Sequence, residues 1–177
     1  QLCLMTAQIA NGGYKIKPKI IVNDDPLTLE DAKNLMELQS LQKPNTRLFN
    51  DSKNIKIVQE AMFSSTNEQF GTSYRSRIDD PKYQFAGKTG TAQVKRISKR
   101  ERELDLKLEQ IPYNDRDHAL YIAYGPYKNP RYALSIIVEH GGSGSKAAAP
   151  MAKELFKLII DRNDLRNKQK NFEEMEI

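Results

Sequence analysis

Leu2, Met5, Ile9 and Ala10 fall at helical spacing and run into Asn11-Gly12-Gly13, so the chain is predicted to open in a helix that the glycine pair stops. Tyr14 to Val22, YKIKPKIIV, reads as a short strand or extended passage, which Pro18 keeps away from the centre of a sheet. After a turn over Asn23 to Pro26, Leu29, Ala32, Leu35, Met36 and Leu38 predict a helix with Thr28 and Asp31 as its cap pair, ending before Pro44. A further helix is expected after Asp51 or Ser52, with Ile55, Val58, Ala61 and Met62 on one face.

Beyond that helix the pattern loosens and then changes period. Residues 64 to 82, SSTNEQFGTSYRSRIDDPK, are polar and turn-rich and read as a long loop leading into a strand over Phe85 to Val94. His118 to Tyr124 and Tyr132 to Glu139 are strand-like runs, joined by a hairpin loop over Gly125 to Pro130. Gly141 to Ser145 is a glycine-serine connection ahead of a helix from about Lys146 to Asp161. Such a loop can bind anions at the helix start, although it more often only connects. Arg162 to Ile177 mixes charges without an apolar stripe and reads as a disordered tail.

A length of 177 residues suits a single domain with a real core. Hydrophobic content is 38%, charged content 29% and mean hydropathy -0.69, a rather polar balance. The longest apolar runs, Leu120 to Tyr124 and Leu155 to Ile160, fall well short of the about 18 residues that span a bilayer. Neither a membrane segment nor a signal peptide is expected, because Gln1 leads directly into an amphipathic pattern. Cys3 is the single cysteine, so no intrachain disulfide is possible; it reads as a small buried residue.

The net charge of +5 and isoelectric point near 9.2 suit an anionic partner, whether nucleic acid, membrane surface or wall polymer. The most charged stretch, KRISKRERELDLKLEQ from Lys95, interleaves acids with bases and holds no aromatic, so it reads as a solvated helix or flap rather than a nucleic-acid patch.

The stretch with distinctive chemistry is FAGKTGTAQV, residues 85 to 94, and within it Lys88, Thr89, Gly90 and Thr91. Alternation along a strand presents the Thr89 and Thr91 hydroxyls on one side, while Gly90 leaves bare backbone for close approach. Two hydroxyls beside the Lys88 ammonium make a site for a carboxylate, and unpaired N–H groups of a sheet edge can take a peptide as an added strand or hold an oxyanion. Because alternation sends Lys88 away from the threonines, a shared site requires an edge or twisted position. A tight turn is the competing reading. A phosphate loop is disfavoured, since it needs a Gly five residues before the Gly-Lys pair, where Lys82 stands, and a helix after it, where a strand continues.

Lys-Thr-Gly is one of three short motifs of penicillin-binding proteins and serine β-lactamases. Here it sits in AGKTGTAQV, preceded by QLCLMTAQIANGG and NEQFGTSYRSRI and followed by RDHALYIAYGPYKNPRYALSIIVEHGGSGSKAAAP. These four blocks, in this order, resemble the C-terminal part of the transpeptidase domain of class B penicillin-binding proteins of the elongation type, the penicillin-binding protein 2 group. The resemblance covers residues 1 to 161, least well over 23 to 50; residues 162 to 177 lie beyond it.

The resemblance implies an α+β fold in which an antiparallel sheet packs against N- and C-terminal helices, with a helical subdomain across the active-site cleft. It implies serine-type D,D-transpeptidation in peptidoglycan cross-linking, inhibition by β-lactams and no cofactor or metal. Lys88 would be catalytic, tuning charge and proton handling. Thr89 and Thr91 would bind the substrate carboxylate, the Thr91 N–H would donate to the oxyanion, and Gly90 would admit the substrate strand. Implied partners are wall stem peptides, β-lactam antibiotics and, for a full protein, a membrane-embedded glycan polymerase, with no nucleic acid. The implied location is the periplasmic face of the bacterial inner membrane.

One departure from the family pattern limits this reading. Its Ser-x-x-Lys nucleophile and Ser-x-Asn motifs belong upstream of the first helix. Ser40-Leu41-Gln42-Lys43, Ser143-Gly144-Ser145-Lys146 and Ser65-Thr66-Asn67 fit on paper, but a Ser-x-x-Lys match arises about once by chance at this length. The first runs into Pro44, the second follows Lys-Thr-Gly in the wrong order and the third belongs to the NEQ block. All three are therefore treated as decoys, and the chain is expected to lack the acylating serine. A non-catalytic module binding peptide carboxylates and a β-lactamase-like hydrolase are the alternatives.

Overall fold

A computed structural model describes residues 1–18, 47–48, 51–96, 103–104 and 106–175, with 167–175 as backbone only. The helix expected over 28–44, most of the YKIKPKIIV passage and part of the charged stretch after Lys95 lie outside the described residues.

Helix α1 (Leu2–Ala10) ends as the glycine pair requires, with Gly12 and Gly13 both at positive φ, where side chains are strained. Tyr14 forms only an isolated bridge to Arg47 rather than a strand, as Pro18 nearby would favour. Helix α2 (Ser52–Asn67) is capped by Asp51, whose carboxylate accepts from the Lys53 N–H at 2.8 Å. Its buried stripe is Ile55, Met62 and Thr66. The expected stripe is thus corrected: Val58 and Ala61 face solvent, because the helix is turned to let Gln59 donate to the Ile9 carbonyl at 2.7 Å and fasten the end of α1.

Strands β1 (Ala86–Ala92), β2 (His118–Gly125) and β3 (Tyr132–Val138) form an antiparallel sheet in the order β1-β2-β3. Thr89 is paired with Tyr121, and Tyr121 with Ile136. Both faces of this sheet are covered, which makes an α+β fold. On one face Ala86 and Tyr124 pack with Met62 of α2 and with Ile9. The other face buries Phe85, Tyr121 and Ala123 against Ala149, Ala152, Phe156 and Ile160 of helix α3 (Ala149–Met175). The spacing of those four residues makes one apolar stripe along the helix expected from about Lys146. Phe85 and Phe156 stack with ring centres 4.8 Å apart.

Three boundaries differ from the sequence reading. Residues 64–67, expected as loop, complete α2, because side-chain bonds to the sheet hold poor helix formers in place. The closing helix starts with a π-helical turn over Gly144–Ala148. It then continues to Met175, so 162–175, expected as a disordered tail, is helical. That stretch holds no Pro or Gly to stop it, and its first turn is tied down where Lys82 reaches Asp161 and Asp164 at 2.9 and 3.1 Å. Among the described residues no helix is long and apolar enough to cross a membrane.

Candidate active site

β1 is a terminal strand of the described sheet, so one of its edges faces away from β2. The hydrogen bonds identify which groups lie there. The Gly87 carbonyl accepts from Thr66 Oγ1 at 3.4 Å and the Thr89 carbonyl from Lys88 Nζ at 3.0 Å. Odd-numbered residues of β1 therefore turn their backbone groups outward, and ladder alternation does the same to the N–H and C=O of Thr91.

The C-terminal end of α2 covers the first half of this edge. Asn67 Nδ2 donates to the Phe85 carbonyl at 2.9 Å, next to the Thr66 bond to Gly87. Neither α2 residue is bonded to the edge beyond Gly87. The uncovered half begins where Lys88 and Thr89 stand, and both Lys88 and Thr91 are exposed to solvent.

Alternation places Thr89 and Thr91 on one face of β1 and Lys88 on the other. The edge position resolves the conflict noted in the sequence, because the Lys88 side chain curls round to Thr89, reaching its carbonyl and, at 3.4 Å, its hydroxyl Oγ1. Lys88 and Thr89 are thus brought together at this edge, with Thr91 two residues further along it, while Gly90 turns its backbone groups toward Leu120 of β2. Gly90 is half-buried, a Cβ there would lie 3.3 Å from Leu120 Cβ, and the residue is backed by the start of the closing helix. A Cβ at Gly144 would collide with the Leu120 carbonyl and come within 2.8 Å of that of Gly90.

A buried hydroxyl cluster behind the strand was not apparent from sequence. Tyr121 OH, Thr66 Oγ1 and Ser73 Oγ form a closed triangle with sides of 2.9, 3.2 and 3.0 Å. Tyr121 reaches this point by passing beneath Gly87, where a Cβ would strike its hydroxyl. Burial pushes the Tyr121 phenol above its ordinary value, and the bonds to Ser73 and Thr66 oppose that shift. On the solvent side Thr72 Oγ1 lies 3.2 Å from Thr89 Oγ1 and 3.2 Å from Ser65 Oγ. Residues 65 to 73 join β1 only through the fold, and a Gly-Thr-Ser run in a polar segment carries no signal beyond that of a turn.

Two of the three decoy serine motifs also receive positions. Ser65-Thr66-Asn67 lies at the end of α2 with Thr66 and Asn67 engaged in the bonds above. Ser143 Oγ is bonded to Ser145 Oγ at 3.0 Å, while Lys146 is exposed. Ser40 to Lys43 lie outside the described residues. No group of three or more metal-ligating side chains occurs among the described residues.

Residues 1–157 match the family model described as the penicillin binding protein transpeptidase domain. The chain is similar to the peptidoglycan D,D-transpeptidase MrdA of Salmonella typhimurium strain SL1344, 30% identical over 161 residues, 91% of this chain and 24% of that protein. It is likewise similar to the enzyme of that name from Acinetobacter baumannii, 34% identical over 164 residues, 88% of this chain and 21% of the relative. Among solved structures it resembles penicillin-binding protein 2 of Helicobacter pylori in complex with MreC, at 28% identity and a TM-score of 0.60, covering 88% of this chain and 24% of that one. Penicillin-binding protein 2 of Pseudomonas aeruginosa in complex with WCK 5153 gives 28% identity and a TM-score of 0.59, covering 87% of this chain and 28% of that one. The chain spans about a quarter of the length of these relatives. By the match over residues 1–157, it belongs to the penicillin-binding protein transpeptidase domain family.

Proposed function

We propose that this chain is the carboxylate-binding wall of a serine D,D-transpeptidase active site whose nucleophile is carried by sequence outside it. The observation that carries the reading is the half-covered edge of β1: side chains of α2 occupy it as far as Gly87, and among the described residues the only side chain bonded to the strand's backbone beyond it is that of Lys88, at the Thr89 carbonyl, with exposed Thr91 following. A peptide laid along this half gains backbone bonds to the Thr89 N–H and to Thr91, with its terminal carboxylate among two hydroxyls and the Lys88 ammonium, which holds the Thr89 carbonyl.

The reaction is acyl transfer. A serine attacks the carbonyl between the last two D-alanines of a wall stem peptide; the C–N bond breaks, terminal D-alanine leaves with a proton, and an ester to the serine remains. An amine of a neighbouring strand then takes the acyl group and frees the serine. Lys88 tunes the charge of the site and assists proton handling, and Thr89 and Thr91 hold the donor carboxylate. The Thr91 N–H donates to the oxyanion, and Gly90 lets the substrate strand approach. A β-lactam carboxylate uses the same groups, so the whole protein is a β-lactam target.

Residues 1–161 form the C-terminal portion of the family domain. The whole protein works on peptidoglycan at the periplasmic face of the bacterial inner membrane beside a glycan polymerase. A partner like the MreC found with the Helicobacter pylori relative fits the same setting.

The test is incubation with a fluorescent penicillin followed by intact mass measurement. The protein extended upstream through a Ser-x-x-Lys and a Ser-x-Asn segment should acquire one covalent adduct, whereas residues 1–177 should acquire none. Labelling of residues 1–177 would revive Ser40 or Ser143 as nucleophile. An extended protein that stays unlabelled would leave only a carboxylate-binding module, and labelling with rapid release of opened penicillin would mark a hydrolase.

A further inference from the structure

We propose that Thr72 is a positioning residue of the carboxylate site, orienting the Thr89 hydroxyl so that its proton faces the ligand; this rests on the reading of β1 above. A threonine hydroxyl has one proton to donate and two lone pairs. Thr89 Oγ1 has two neighbours, Lys88 Nζ at 3.4 Å and Thr72 Oγ1 at 3.2 Å. The ammonium can only donate. If Thr72 also donates, both lone pairs of Thr89 are used and its proton is left for an incoming carboxylate. Ser65 Oγ, 3.2 Å from Thr72 Oγ1, supplies the donor that replaces the proton Thr72 gives up. The line Ser65 to Thr72 to Thr89 to carboxylate is a hydroxyl relay, each bond polarising the next.

The fold holds Thr72 for this task from both sides. Preceding it, Gly71 lies so near the end of α2 that a Cβ would collide with the Ser65 carbonyl. Ser73, which follows, donates to that same carbonyl from its backbone N–H and its Oγ, each at 3.0 Å, and joins the buried triangle with Tyr121 and Thr66. Thr66 in turn bonds the Gly87 carbonyl, so the segment carrying Thr72 and the strand carrying Thr89 are registered through one cluster. Thr72 itself is exposed, which lets its hydroxyl be removed without opening the core.

The experiment uses the protein extended upstream and measures equilibrium binding of N-acetyl-D-alanyl-D-alanine and of its C-terminal amide. For Thr72→Val, affinity for the acid should fall about tenfold while affinity for the amide is unchanged, and Thr72→Ser should restore most of the loss. An equal loss for acid and amide would reduce Thr72 to a structural role. Unchanged acid binding in Thr72→Val, or no preference for acid over amide in the unsubstituted protein, would overturn the proposal. Penicillin acylation measured on the same samples separates the two ideas: acid-selective binding that depends on Thr72, without acylation, rejects the transpeptidase reading and keeps the relay.

Discussion

Two tyrosines on neighbouring positions of β2 illustrate how the environment of a hydroxyl decides its worth. The Tyr121 OH has two buried partners, Thr66 and Ser73. The Tyr124 OH is buried with no hydrogen-bond partner among the described residues. Tyr121→Phe should therefore cost about 1 kcal/mol, since it takes one partner from each of two buried hydroxyls that keep others, whereas Tyr124→Phe should be neutral or gain up to about 1 kcal/mol. Urea unfolding followed by circular dichroism would measure both. Burial raises both phenol pKa values. A raised value means the folded state favours the neutral phenol, so this contribution is complete below about pH 10 and is lost as pH rises through the folded values. The fall in stability at alkaline pH should be shallower in Tyr124→Phe than in the unsubstituted protein.

At the scale of elements, α3 shows what the sequence pattern could and could not convey. Its stripe of Ala149, Ala152, Phe156 and Ile160 meets the sheet, and a helix as far as Asp161 was expected. The continuation past Asp161 was not, because it is fixed by polar contacts with distant residues instead of an apolar repeat. Asp161 accepts from Tyr83 OH at 2.6 Å and Lys82 Nζ at 2.9 Å, and these two hold its carboxyl below its usual range. Such exposed contacts contribute little to global stability. Replacing Asp161 and Asp164 by Asn should consequently speed amide hydrogen exchange over 162–166 while leaving the unfolding midpoint nearly unchanged. The depressed carboxyl gives the same direction with pH: protection of this segment should fade as pH drops through the acid side of the carboxylate range. The end of α2 was misread for a related reason. Ser64, Ser65, Thr66 and Asn67 are turn residues by composition, and only their bonds to Phe85, Gly87 and Tyr121 make them the last turn of a helix.

For the molecule as a whole, the strand that carries the proposed site was readable because a strand's alternation and its glycine are local properties. Thr72, Ser73 and Thr66 were not, since nothing in a polar run indicates which strand it will fold against. The helix that supplies Thr66 and Asn67 also sets where a ligand must stop. A peptide strand sliding along β1 toward Phe85 meets Asn67 and Thr66 already bonded to the carbonyls it would need. On the proposed reading the edge is thus a blind alley rather than a through groove, with α2 marking where a guest chain would have to end. Recognition should be of chain ends only: adding one residue beyond the terminal D-alanine should weaken competition against penicillin acylation about tenfold or more. An extended peptide that competes as well as the native terminus would show that the alley is open. On the proposed transpeptidase reading, a closed alley would confine the reaction to strand tips and leave strand interiors alone.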